Sequence, residues 1–199
     1  MVMTEKELLA FLEKEYSEVY VKAESLPKPY IGQQEIKAIL LGTDPGTENN
    51  KMFEYVFGLE SKDLRYSTFI RNNLEVLNNL SIDNLYIQNL CKNYFNRDSD
   101  KNKYWEDVAK LWLPIIKQEI DGQFKKNIPV LLSTEKLLRV VLTNKENKET
   151  ARYYYENLFF IDEGENFFGR VLIPFYRHTE YALSKWNAYR DKVDNYFNQ

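Results

Sequence analysis

Three residues of unlike chemistry stand at or shortly after the ends of short apolar runs in this chain. Gly42-Thr43-Asp44-Pro45-Gly46 follows Ala38 to Leu41, Asn89 follows Leu85 to Gln88, and His178, the only histidine, comes four residues after Pro174. A positioned carboxylate such as Asp44 can act as a base or orient a water molecule. An amide such as Asn89 offers a donor and an acceptor together, as reading the edge of a nucleobase requires. A neutral imidazole donor can stabilise negative charge developing on a leaving group. Phe57, thirteen positions after Asp44 and just before Gly58, adds an aromatic face. Taken singly, each has a plainer reading: a solvated turn aspartate, an asparagine closing a strand, a surface or capping histidine, a core phenylalanine.

These residues need a scaffold, and the pattern predicts one. Thr4-Glu5-Lys6-Glu7 has the form of a capping box, and Leu8, Leu12 and Val19 continue it as a helical stripe that ends before Pro27 and Pro29. Ala38 to Gly42 reads as a strand buried on both faces, with a polar loop from Asp44 to Lys51. A helix is expected over Thr68 to Asn79, then a second strand over Asn84 to Leu90. Trp105 to Ile120 gives a long helix stripe with a kink or break at Pro114. A third strand covers Ile128 to Leu132, with Ser133 or Thr134 as cap of the helix after it. Leu158 to Pro174 is expected to form a hairpin whose second arm is the fourth strand. A last helix starts at about Thr179, so that His178 sits at its N-terminus, where partial positive charge lowers an imidazole pKa.

Alternating strands and helices predict an α/β protein, a three-layer α/β/α sandwich with a mainly parallel sheet of about four strands. The chain of 199 residues reads as a single domain, 1–199, with 1–30 as N-terminal helix and lead-in. In such sheets ligands bind outside the carboxyl ends of the strands, which is where Asp44, Asn89 and His178 fall. Asp44 precedes a proline and is pushed toward extended backbone, and Pro45-Gly46 suits a type II turn.

Composition removes several alternatives. One Cys and one His exclude a disulfide framework, an iron–sulfur cluster and two-histidine metal sites. A formal charge of −3 is not that of a polybasic nucleic-acid coat, so DNA contact requires a local patch. Lys51, Arg65, Arg71, Lys92, Arg97, Arg177 and Lys185 are the candidates for phosphate contact. No run has the length of a membrane span and the start lacks the features of a signal peptide, so a cytoplasmic protein without membrane contact is expected.

The combination resembles the uracil-DNA glycosylase superfamily: G-x-D-P after an apolar strand, an Asn at the end of the next strand, and a His after the final one. The resemblance implies a monofunctional hydrolase that acts, without cofactor and as a monomer, on uracil or a related damaged base in DNA. It implies that Asp44 positions the attacking water and that His178 stabilises the leaving uracilate. Asn89 would read the base edge and Phe57 would stack on it, with Gly42, Thr43, Gly46 and Thr179 completing the substrate site and no metal bound. The chain departs from the pattern in two places. His178-Thr179-Glu180-Tyr181 replaces the common H-P-S and apolar wedge, and Gly46 stands where some members carry a thymine-blocking tyrosine. These departures and the net charge keep open a non-catalytic nucleobase- or nucleic-acid-binding module on the same scaffold. A small-molecule hydrolase using Asp44 and His178 lacks a nucleophile elbow or phosphate loop.

Overall fold

The computed structural model describes residues 3–46, 52–60, 65–144 and 149–198, without the side chains of residues 65 and 66. The chain opens with α1 (Glu5–Glu15), two short strands β1 (Tyr20–Val21) and β2 (Tyr30–Ile31), and the buried strand β3 (Ala38–Gly42). There follow α2 (Arg65–Leu74), β4 (Leu85–Asn89), β5 (Tyr94–Phe95), α3 (Trp105–Gln123) and β6 (Val130–Leu132). α4 (Leu138–Val141), α5 (Ala151–Glu156), β7 (Leu172–Pro174) and α6 (Asn187–Tyr196) complete it.

The main sheet has the order β2-β4-β3-β6-β7. β4, β3, β6 and β7 are mutually parallel and β2 joins β4 antiparallel, so the expected four-strand parallel sheet gains one edge strand. Every residue of β3, β4, β6 and β7 is buried, which is why β3, β6 and β7 are continuous apolar runs rather than alternating ones, while β4 ends in the polar Gln88 and Asn89. The parallel register pairs Gly42 with Asn89 and Leu41 with Leu132, bringing the ends of three strands level. Tyr86 and Gln88 of β4 both donate to Glu119 of α3, so that face of the strand meets α3. Alternation then puts Asn89 and its partner Gly42 on the other face.

α1 begins with the capping box, Thr4 Oγ1 accepting from the Glu7 N–H, and buries Leu8 and Leu12. α3 buries Trp105, Val108, Ala109, Trp112, Leu113, Ile116 and Ile120 at helical spacing and runs through Pro114 as one helix. Pro114 deprives the Lys110 carbonyl of its helical donor, and Lys110 is exposed, where water can replace it.

Several expected elements are placed differently. The helix expected over Thr68 to Asn79 is Arg65–Leu74, and the segment beyond it leaves the helix to meet α6. There the backbone N–H groups of Asn78 and Asn79 both donate to Asp194 Oδ1. The expected hairpin is reduced to one antiparallel bridge, Ile161 with Leu172, and Asp162 caps a single turn over Glu163–Glu165 instead. The last helix begins at Asn187 rather than near Thr179; two three-residue turns, Thr179–Tyr181 and Leu183–Lys185, fill the interval. Neither Ser133 nor Thr134 caps α4, and both hydroxyls lack a hydrogen-bond partner. The Pro45-Gly46 turn and the loop to Lys51 run into residues outside those described.

Candidate active site

A cleft of about 690 Å³ lies at the carboxyl ends of the parallel strands. Thr43, Asp44 and Gly46 from the segment after β3 line it together with Phe57, Asn89 and His178, each of these three from a separate stretch of sequence. Gly42 sits beneath it, and Thr179, although expected in the site, is not among its lining residues.

Gly42 makes a close approach beneath the cleft possible. A Cβ there would stand 2.3 Å from Asn89 Oδ1 and 2.4 Å from Phe57 Cζ, distances no side chain tolerates. The missing side chain lets the amide and the ring meet over β3. Asn89 is 2% exposed, and its Nδ2 has no hydrogen-bond partner. Its own backbone N–H donates to Gln88 Oε1 at 2.9 Å, while the Leu90 and Cys91 N–H groups donate to the Gly42 and Thr43 carbonyls. The backbone N–H groups at and after Asn89 are therefore satisfied, while its amide Nδ2 is left without a partner.

Phe57 adopts φ 60°, ψ 8° in a turn over Val56–Gly58. Such left-handed backbone in a bulky residue is uncommon and costs energy. Arg177 lies over its ring, the guanidinium carbon 5.7 Å from the centroid.

Asp44 is half-buried and accepts from the Trp105 indole N–H at 2.8 Å. Burial pushes its pKa up from 3.8 to about 6, against the opposing pull of Trp105, Thr43, Arg177 and Lys136. The carboxyl is thus poised to exchange a proton near neutrality while mainly ionised at pH 7. Lys136 lies over the Trp105 ring at 5.1 Å, donates to the Ser99 carbonyl, and has its pKa lowered mainly by desolvation.

His178 is exposed at the cleft edge. It precedes a three-residue turn, not an α-helix, so the expected helix field on its imidazole is absent. Another contact sets its tautomer: Nδ1 accepts from the Glu180 N–H at 3.3 Å. An accepting Nδ1 leaves the ring hydrogen on Nε2, the atom free to donate.

Sequence reasoning missed Trp105, Lys136, Ser133 and Tyr176 as site residues. Trp105 reads as one more member of the α3 stripe, since nothing in its spacing shows that its N–H meets a strand-end carboxylate. Of the candidate phosphate contacts among the described residues, only Arg177 lines the cleft. Lys92 is withdrawn into ion pairs with Glu5 and Glu119, at 14% side-chain exposure. Lys51 and the Arg65 side chain lie outside the described residues. Asp98, Asp100, Glu135 and Glu180 line the cleft beside Lys101, Lys136 and Arg177, so its charge is mixed. No group of three or more His, Cys, Asp or Glu side chains able to hold a metal ion occurs among the described residues. Nor, among them, is any helix long and apolar enough to cross a membrane.

The architecture is α/β, a mixed and mostly parallel five-stranded sheet with helices packed on it. No protein-family model matches the chain, and no curated protein matches it.

Proposed function

We propose that the protein is a monofunctional glycosylase of the uracil-DNA glycosylase type, a three-layer α/β/α fold that hydrolyses the bond between uracil, or a related damaged base, and its sugar in DNA. The observation that carries this reading is the buried, unpartnered Nδ2 of Asn89, whose amide meets the ring of Phe57, a residue with left-handed backbone, in the cleft that also holds Asp44 and His178. Leaving such a donor unsatisfied costs about 1–3 kcal/mol, and a bound carbonyl oxygen would remove that cost.

A base flipped from its strand stacks on Phe57 and accepts from Asn89 Nδ2. Arg177 now covers that ring, so an entering base displaces it and keeps a cation close by. As the glycosidic bond opens, positive charge grows on the sugar and negative charge on the base. Asp44 stabilises the first and takes the proton of the attacking water; Asn89 and the His178 Nε2–H stabilise the second. The products are the free base and an abasic site.

The mixed cleft charge and the exposed Glu180 favour a second reading, a nucleobase-binding module without hydrolysis. Incubation with a uracil-containing oligonucleotide separates the two. Alkali-labile sites at uracil support the glycosylase; an intact strand, with free uracil bound in the cleft, leaves only the binding module.

A further inference from the structure

Across Asp44 from Asn89, hydroxyl-bearing residues line the cleft. Ser133 directly follows β6, and its N–H donates to the Leu41 carbonyl at 3.1 Å, while the Arg177 N–H donates to the Ser133 carbonyl at 2.9 Å. These bonds carry the sheet ladder past the strand ends. Asn89, Asp44, Ser133 and Tyr176 therefore follow one another along the edge in the strand order β4, β3, β6, β7. Three strand spacings amount to roughly 14 Å, enough for a base with a sugar beside it.

Ser133 is wholly buried and Tyr176 is 2% exposed, yet both line the cleft. Neither Ser133 Oγ nor the Tyr176 hydroxyl has a hydrogen-bond partner. The Tyr176 ring is fixed by packing, stacked on Tyr155 at 5.8 Å and met edge-on by Tyr181 at 5.7 Å. Its backbone is fixed too: its N–H donates to the Tyr155 hydroxyl and its carbonyl accepts from Asn73 Nδ2. The fold thus holds a buried hydroxyl firmly in place and leaves it unsatisfied, an arrangement that costs stability unless a ligand completes it.

The chemistry of the missing partner follows from that of the lining. Burial, with Tyr155 and Glu135 nearby, raises the Tyr176 pKa well above its ordinary value, so the group is a neutral O–H. Two neutral hydroxyls, each donor and acceptor, match the hydroxyls of a sugar. A phosphate offers acceptors only and would bring negative charge toward Glu135. The cations Arg177 and Lys136 act on Asp44 instead.

We propose that the Ser133 and Tyr176 hydroxyls form a sugar subsite, and that the cleft accepts a free nucleoside, a base carrying a hydroxyl-bearing pentose. The inference rests on the base subsite of the proposed function but not on a DNA strand as ligand.

The test is equilibrium binding of uracil and of uridine to the full chain and to two variants, Tyr176→Phe and Ser133→Ala. Uridine is expected to bind the unaltered protein about tenfold more tightly than uracil. Each variant should weaken uridine by about three- to tenfold, one neutral hydrogen bond, and leave uracil within twofold. Since neither hydroxyl has a partner in the fold, neither variant should lower the melting temperature. Uridine binding no tighter than uracil, variants that bind uridine unchanged, or equal losses for both ligands would each overturn the subsite, as would binding of neither ligand. A protein that cleaves the uracil oligonucleotide but gains nothing from the ribose keeps the glycosylase reading and loses this one. One that binds uridine through Tyr176 and Ser133 but leaves the oligonucleotide intact does the reverse.

Discussion

The indole N–H of Trp105, first residue of α3, donates to Asp44 Oδ1 at 2.8 Å. It is a charge-assisted bond to a carboxylate in a poorly solvated place, and it opposes the upward push of burial on the Asp44 pKa. Trp105→Phe keeps the ring packing and removes the donor. Asp44 should then titrate above its present value of about 6. As the proposed mechanism needs the ionised carboxylate, activity rises with pH through that pKa. The acid limb of the pH–rate profile should move to higher pH, with a larger loss at pH 6 than at pH 8. An unchanged acid limb would show that Asp44 does not set it.

The same carboxylate should make stability depend on pH. Its folded pKa, about 6, lies above the ordinary 3.8, so the folded state holds the proton more tightly than the unfolded chain. Wild-type stability contributed by this group is present below about pH 4 and falls as pH rises to about 6. Asp44→Asn abolishes the titration. It should be more stable than wild type at pH 7.5 by on the order of 1–3 kcal/mol, and the gain should shrink as pH drops toward 4. Denaturant melts of both proteins at pH 4.5 and 7.5 measure this.

Gly42→Ala tests the close approach of Asn89 and Phe57. The added methyl meets both groups inside 2.5 Å, so one of them must leave. Overpacking of this kind costs about 1–3 kcal/mol, and base binding should be lost even where the variant folds. Phe57→Ala, by contrast, should keep the fold and weaken base binding by about 1–3 kcal/mol, the worth of a stacking surface. A calorimetric titration with uracil, run beside thermal melts, distinguishes the two.

Scattered basic residues in the sequence predict a modest and strongly salt-sensitive affinity for DNA. Of those candidates among the described residues, however, only Arg177 lines the cleft, so DNA binding there should depend only shallowly on salt. Lys101, Lys136 and Arg177 are the cations that line the cleft among the described residues. One to three neutralised phosphates give a slope of log affinity on log salt between about −0.9 and −2.7 for duplex DNA. A steeper slope, read from binding at several salt concentrations, would place the DNA on another surface.

The parallel strands are legible because burial on both faces forces continuous apolar runs, as in Ala38 to Leu41 and Val130 to Leu132. β2 is not, since two residues on a sheet edge, Tyr30 and Ile31, carry no pattern of their own. The last helix starts later than the spacing predicts for a physical reason. Ala182 and Trp186 fall at helical spacing with Tyr189 and Val193, but the Trp186 backbone N–H donates three residues back to the Leu183 carbonyl and its indole N–H to the Glu180 carbonyl, which holds this stretch in short turns. At the candidate site, residue types at strand ends put Asp44 and Asn89 at one edge of the sheet, because the topology brings such ends together. Contacts between distant segments, such as Trp105 with Asp44 or Tyr176 with Tyr155, leave no local signature.

In the proposed mechanism Asp44 acts on the transition state of base release. Single-turnover release of uracil from single- and double-stranded oligonucleotides, by wild type and by Asp44→Asn, tests this most directly. Release by the wild type is expected, with a rate lowered about 10²- to 10⁴-fold in the variant and oligonucleotide affinity changed only a few-fold. Release by Asp44→Asn at the wild-type rate, or no release by the wild type on either substrate, would contradict it.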